Sequence, residues 1–170
     1  MNYMKVLFLV YLSIASFSFL NAQDCKYTVD KVDKFSNKVT RELSPVLLTK
    51  NAKFTGGTIT KVKMILKEEN DQLIFGLSFV RFSGTYPVLT AGSKLILLLK
   101  NKKQVEVNMK GMTSSFKGYI VMTDFELKKE DLAHLIESDI TDIRVKAVFN
   151  PLDITIKNST ASHFKCFSEH

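Results

Sequence analysis

The sequence predicts a mainly β domain of the α+β class: an antiparallel β-sandwich or partly open barrel, with one helix near 129–138 and a short C-terminal helix. Three observations predict it. Runs of strand length alternate apolar and polar residues, turn-forming residues separate them at near-hairpin spacing, and one window carries apolar residues at helical spacing. So many antiparallel strands exceed a single small sheet, so the sheet must layer or close, with the helix capping one edge.

Along the chain, the first segment reads as an export signal rather than part of the domain. Lys5 gives a short positive start, residues 6–20 are apolar or small, and Asn21-Ala22 offers a cleavage site before Gln23. Residues 1–22 are thus assigned to a signal peptide and 23–170 to a single β-rich domain. The apolar run falls short of the roughly 20 residues of a comfortable span, leaving an uncleaved anchor as the alternative. Cys25 follows Ala22-Gln23-Asp24, which is not a lipid-attachment sequence. The apolar run 95–99 is too brief to span, so the mature chain is expected to be exported, periplasmic or extracellular, with no transmembrane span.

Thr58, Thr60, Val62, Met64 and Leu66 share one parity, with Lys61, Lys63 and Lys67 on the other. Leu73, Phe75, Leu77 and Phe79 repeat the pattern after Glu68-Glu69-Asn70-Asp71. Residues 95–99 are apolar on both parities, as in a strand covered on both faces. Val105, Val107 and Met109 alternate with Gln104, Glu106, Asn108 and Lys110, a half-buried strand. Tyr119, Val121 and Phe125 predict a central strand. Turns are expected at Ser36-Asn37, Gly56-Gly57, Ser83-Gly84, Lys100-Asn101-Lys102-Lys103 and residues 111–115. Leu132, Leu135 and Ile136 then fall at i, i+3 and i+4, with Glu130 and Asp131 in the first turn of a helix. Ile143, Val145, Ala147 and Phe149 resume strand alternation, Asn150-Pro151 turns the chain, and Leu152, Ile154 and Ile156 form a last strand. Residues 158–167 close the chain as a short helix.

Cys25 and Cys166 are the only cysteines. In an oxidising compartment two such residues default to one disulfide, with two free buried thiols as the alternative. No CxxC spacing or neighbouring histidine points to redox or metal chemistry.

Lys+Arg 24 against Asp+Glu 17 gives +7, and losing Lys5 with the signal leaves +6. A composition of 45% hydrophobic and 24% charged residues excludes a disordered tail or collagenous repeat. Only Arg41, Arg81 and Arg144 carry guanidinium groups, which argues against nucleic-acid readout. Acidic glycans or lipid headgroups suit the lysines better. Without tryptophan the chain lacks the flat platforms of many sugar-binding sandwiches, and Phe75, Phe79, Phe116 and Phe149 read as core. Tyr86, Lys100, Lys102 and Lys103 are the candidate surface contacts.

No catalytic, cofactor-binding or metal-ligating set is predicted. His134 falls off the apolar stripe, and His163 and His170 complete no metal-binding spacing. Ser114 to Lys117 and Ser162 to Lys165 match Ser-x-x-Lys outside the context in which it acts. Asp124, Glu126, Glu130, Asp131, Asp139 and Asp142 could supply paired carboxylates but read first as turn and helix-end charges. Thr55-Gly56-Gly57-Thr58 lacks the lysine of a phosphate loop, and Asn158-Ser159-Thr160 fits a glycosylation acceptor.

The stretch Phe125-Glu126-Leu127-Lys128-Lys129-Glu130-Asp131-Leu132, then Ile140-Thr141-Asp142-Ile143-Arg144-Val145, then Asn158, Ala161, Phe164 and Cys166-Phe167, resembles a group of small exported proteins of Bacteroidetes-type bacteria. Gly92-Ser93-Lys94-Leu95 also fits, whereas Lys128 stands where a Thr cap would be expected. The resemblance implies export, a β-rich fold and a terminal disulfide, and carries over no activity. The resulting expectation is a soluble, non-catalytic, binding or envelope-associated module, with an acidic envelope polymer or a protein as partner. A periplasmic inhibitor of a secreted enzyme and a hydrolase with paired carboxylates are the alternatives.

Overall fold

Alternation decides the architecture: most strands turn one parity of side chains to a shared interior and the other outward, while both parities are buried over residues 64–66 and 74–79. The computed structural model describes residues 25–54, 57–70, 72–84, 93–115, 120–146 and 151–167. Within them lie β1 (Tyr27–Val32), β2 (Val39–Leu43), β3 (Val46–Phe54), β4 (Gly57–Glu69), β5 (Gln72–Gly84), β6 (Lys94–Leu99), β7 (Gln104–Ser115), β8 (Ile120–Leu127), α1 (Lys129–Glu137), β9 (Ile140–Lys146), β10 (Leu152–Thr155) and α2 (Ala161–Lys165).

All the strands join one antiparallel, unclosed sheet in the order β1-β2-β4-β5-β8-β7-β6-β9-β10, with β3 also paired to β4. The 13-residue β4 makes this branching geometrically simple: β3 pairs along 57–64 and β2 along 67–69. The segment after β10 returns to β3. Lys157 N donates to Leu48 O at 3.3 Å and Asn158 Nδ2 donates to Leu47 O, but no ladder joins β3 to β10. The fold is mainly β with short helices, as the sequence predicts.

Phe75, Phe79, Phe125, Leu77, Leu95, Leu97, Val105 and Val107 fill the interior. Burial of each large side chain stabilises by roughly 1.5–3 kcal/mol relative to exposure. The two helices pack on each other and contribute Leu132, Leu135 and Phe164 to the same core. Phe164 stacks on Phe75 with ring centroids 6.1 Å apart. The gap left beneath the helices, about 10 Å³ and lined by Leu66, Leu73, Leu127, Leu132 and Phe164 among others, is apolar and too small to hold water comfortably.

Several local expectations shift. Ser83 and Gly84 end β5 opposite Thr58 and Gly57, and residues 111–115 lie in β7, because long-range ladder bonds outweigh local turn preference. Gly111 instead marks a bulge against β8. Ile59, not Thr58, is buried; in β3, left-handed Asn51 (φ 53°) lies between Lys50 and Ala52, the partners of Lys61 and Ile59. Ile96 and Leu98 are only half-buried on the outer face rather than covered.

Helix α1 starts without a side-chain cap: the Lys128 carbonyl accepts Asp131 N and Leu132 N, while Glu130 and Asp131 complement the helix dipole. Helix α2 spans only five residues. Phe116, Ala147 and Phe149 lie outside the described residues.

Candidate functional site

The lysines of the β6–β7 turn are displayed by an unusually well-braced hairpin. Leu99 N donates to Lys103 O and Lys102 N to Leu99 O, both at 2.9 Å, and Lys103 N donates to Asn101 Oδ1 at 3.1 Å. Lys102 sits at φ 71°, the left-handed position that a turn with a bulge normally gives to glycine. The turn is also tied to the end of α1. Asn101 N donates to Ser138 Oγ at 3.2 Å and Lys100 N to Asp139 O at 2.8 Å.

Lys100, Lys102 and Lys103 are exposed. Among the described residues none makes an ion pair within 4.0 Å, although Lys100 helps keep Asp139 ionised. Lys103 Nζ instead lies 3.5 Å from His134 Nδ1, so the helix brings an imidazole to the cationic edge. The place of His134 off the apolar stripe predicts a solvated surface residue; a contact 31 positions away has no periodic signal. Tyr86 lies outside the described residues.

Behind the turn, Asp139 is the structural hub. Its Oδ1 accepts Ser159 Oγ at 2.8 Å, Thr160 N at 2.8 Å and Ala161 N at 2.9 Å, which satisfies the start of α2. The Ala161 amide most strongly, then Ser159 and Thr160, hold this carboxyl below its ordinary range against a desolvation effect that would raise it. Thr160 Oγ1 in turn accepts the buried Ile140 N at 2.8 Å. Helix α2 leads to Cys166, whose disulfide with Cys25 joins positions 141 apart with Cα atoms at 5.7 Å. Tyr27 covers this bond, its hydroxyl donating to Cys166 O at 2.9 Å and its ring meeting Phe167 edge-on.

The remaining candidate carboxylates lie on three elements. Asp124 and Glu126 are on β8 and Glu130 and Asp131 on α1, while Asp142 on β9 accepts Thr155 Oγ1. Asp124 lies across from Gly76, and its buried Oδ1 has no hydrogen-bond partner among the described residues. Among those residues no group of three or more His, Cys, Asp or Glu side chains could hold a metal. The Asn158 amide nitrogen, where a glycan would attach, is occupied by Leu47 O.

A second surface was not legible in sequence. On the outside of β6, β9 and β10 a depression of about 280 Å³ has Ile96 and Leu98 as apolar floor and Gln104, Asp142, Arg144 and Asp153 around it. Arg144 donates twice to Asp153, at 2.7 and 2.9 Å, raising its own pKa and lowering that of the acid. Glu106 bridges Lys94 and Lys146, and Lys94 chiefly holds it below the usual carboxylate range. This lattice is neutral and internally satisfied, so it presents less unspent charge than the lysine turn.

Among the described residues no helix is long and apolar enough to cross a membrane. No protein-family model, curated protein or solved structure matches the chain.

Proposed function

We propose that this chain is an exported, non-catalytic binding module that holds an acidic partner of the cell envelope on its β6–β7 turn. One observation carries the reading: Lys102 occupies a left-handed position that disfavours a side chain, on a turn braced by Ser138 and Asp139, beside Lys100 and Lys103. Non-glycine residues held in that conformation cost of order 1–3 kcal/mol and concentrate at functional sites. Export is supported by the terminal disulfide, which persists in oxidising compartments, and by the resemblance to small exported proteins.

The test is retention on dextran sulfate and polyglutamate at low and high salt. The wild-type protein is expected to bind at low salt and release as screening shortens the reach of its charges. The K100E/K102E/K103E variant is expected to pass through unretained. Equal retention of that variant would reject the turn as the binding surface.

A further inference from the structure

The far end of the β1–β2 ribbon holds an aromatic ring in water. Asp33 organises that turn: its Oδ1 accepts Phe35 N at 2.7 Å and Ser36 N at 3.0 Å, its backbone N donates to Lys38 O at 2.9 Å, and its carbonyl accepts Asn37 N at 2.8 Å. Asn37 takes the left-handed conformation at φ 56°. The Ser36 and Phe35 amides hold the Asp33 carboxyl below its ordinary range, so the acid is committed to the turn.

This well-bonded turn displays Phe35, 100% exposed, and Val32, 58% exposed; they are the two exposed large hydrophobic residues among the described ones. Lys31, Lys34 and Lys38 surround them, all exposed and without an ion pair among the described residues. Phe35 therefore contributes no burial to the fold, while the backbone around it is fixed in place. An aromatic side chain left in water on a bonded turn and ringed by cations is available to a membrane surface or a partner.

We propose that the β1–β2 tip inserts into the surface of an anionic lipid leaflet, with Phe35 and Val32 entering the interfacial region and Lys31, Lys34 and Lys38 engaging headgroup phosphates. The side-chain set favours lipid over a protein pocket. Protein interfaces enrich aromatic residues, phenylalanine included, but set Arg beside them and deplete Lys. Here all three cations near the tip are lysines, whose flexible stems lie along apolar surface while the ammonium reaches a plane of phosphates. The assignment is independent of the β6–β7 turn, because apolar exposure carries it.

The chain contains no tryptophan, so F35W places a unique fluorophore at the tip. The full, disulfide-bonded chain as its source processes it is mixed with vesicles of phosphatidylglycerol and phosphatidylcholine, and separately with phosphatidylcholine alone. On the anionic vesicles the emission is expected to shift to the blue and be quenched by lipids brominated near the headgroup. F35S is expected to partition about tenfold or more weakly, the transfer value of one phenylalanine. K31E/K34E/K38E is expected to lose about a hundredfold or more, since each lysine adds to the attraction. Unshifted, unquenched emission would overturn the proposal, as would F35S sedimenting like wild type. A blue shift on a purified envelope protein but not on vesicles would overturn it in favour of a protein pocket. Because Phe35 is wholly exposed, unchanged melting of F35S verifies that the variants remain folded.

Discussion

Replacing Cys25 with Ser tests how the ends of the chain are held. The bond closes a loop spanning 141 positions. In the chain-entropy treatment, releasing a loop of that length destabilises by about 5 kcal/mol. At about 2–4 °C per kcal/mol for a chain of this size, the melting temperature should fall by about 10–20 °C. In the native state β1 pairs with β2, and near its base Ser44 N donates to Lys26 O and the Tyr27 hydroxyl to Cys166 O, at 2.8 and 2.9 Å. Calorimetry of wild type, C25S, C166S and the double variant, each with and without reductant, measures the effect. Oxidised wild type should melt highest, the three variants should coincide, and reduced wild type should join them. The reasoning fails if C25S falls as far below wild type in reductant as without it, because the loss would then belong to the side chain rather than the bond. It also fails if the oxidised difference stays under about 1 kcal/mol, close to the effect of an ordinary surface substitution.

Two further outcomes follow from the turn and its hub. Asp139→Ala should cost about 1–2 kcal/mol at neutral pH, the usual value of a lost helix cap. Because the folded carboxyl titrates below its ordinary value of 3.8, its contribution is present above that value and lost as pH falls through the lower folded value. Urea midpoints of wild type should therefore drop more steeply than those of D139A below about pH 4, and parallel curves would refute the role of Asp139. Lys102→Gly should stabilise by about 1 kcal/mol by relieving the left-handed backbone, while retention on dextran sulfate weakens. Stabilisation with unchanged retention would leave Lys102 without a binding role.

Legibility tracked whether the deciding contact was local. Val105, Glu106 and Val107 alternate cleanly because one face of β7 is wet there, so the pattern alone places them. Ser83-Gly84 and the stretch 111–115 misled because turn preference is a property of neighbours, whereas their ladder partners lie far away in β4 and β8. Gly76 interrupts a strand for a reason no periodicity carries: a Cβ there would come within 3.1 Å of Asp124 Oδ1. The cysteine pair was readable from composition, since two cysteines leave one pairing. The lysines of the β6–β7 turn were readable as charge, but their bracing was not, because Ser138 and Asp139 act from more than 35 positions on. Phe35 gave no signal, since an aromatic residue between polar neighbours reads the same whether its turn points inward or out.

These elements share one mechanical path. The tip that carries Phe35 belongs to a ribbon whose base is pinned by Cys25 to Cys166. Cys166 caps the C-terminal end of α2, the start of α2 is held by Asp139, and Asp139 anchors Lys100 of the β6–β7 turn. A path of hydrogen bonds and one disulfide therefore connects both cationic tips through Asp139, whose backbone carbonyl holds the turn and whose carboxylate holds α2. The unclosed sheet supplies rigidity through a core that the helices complete, and the groups offered to the proposed partners lie at the ends of its hairpins. That distribution suits the binding module proposed above: exposed charge and apolar area are held at fixed positions by bonds that do not themselves take part in binding. Asp139 shows the same division of labour: its Oδ1 accepts three donors that hold the fold together.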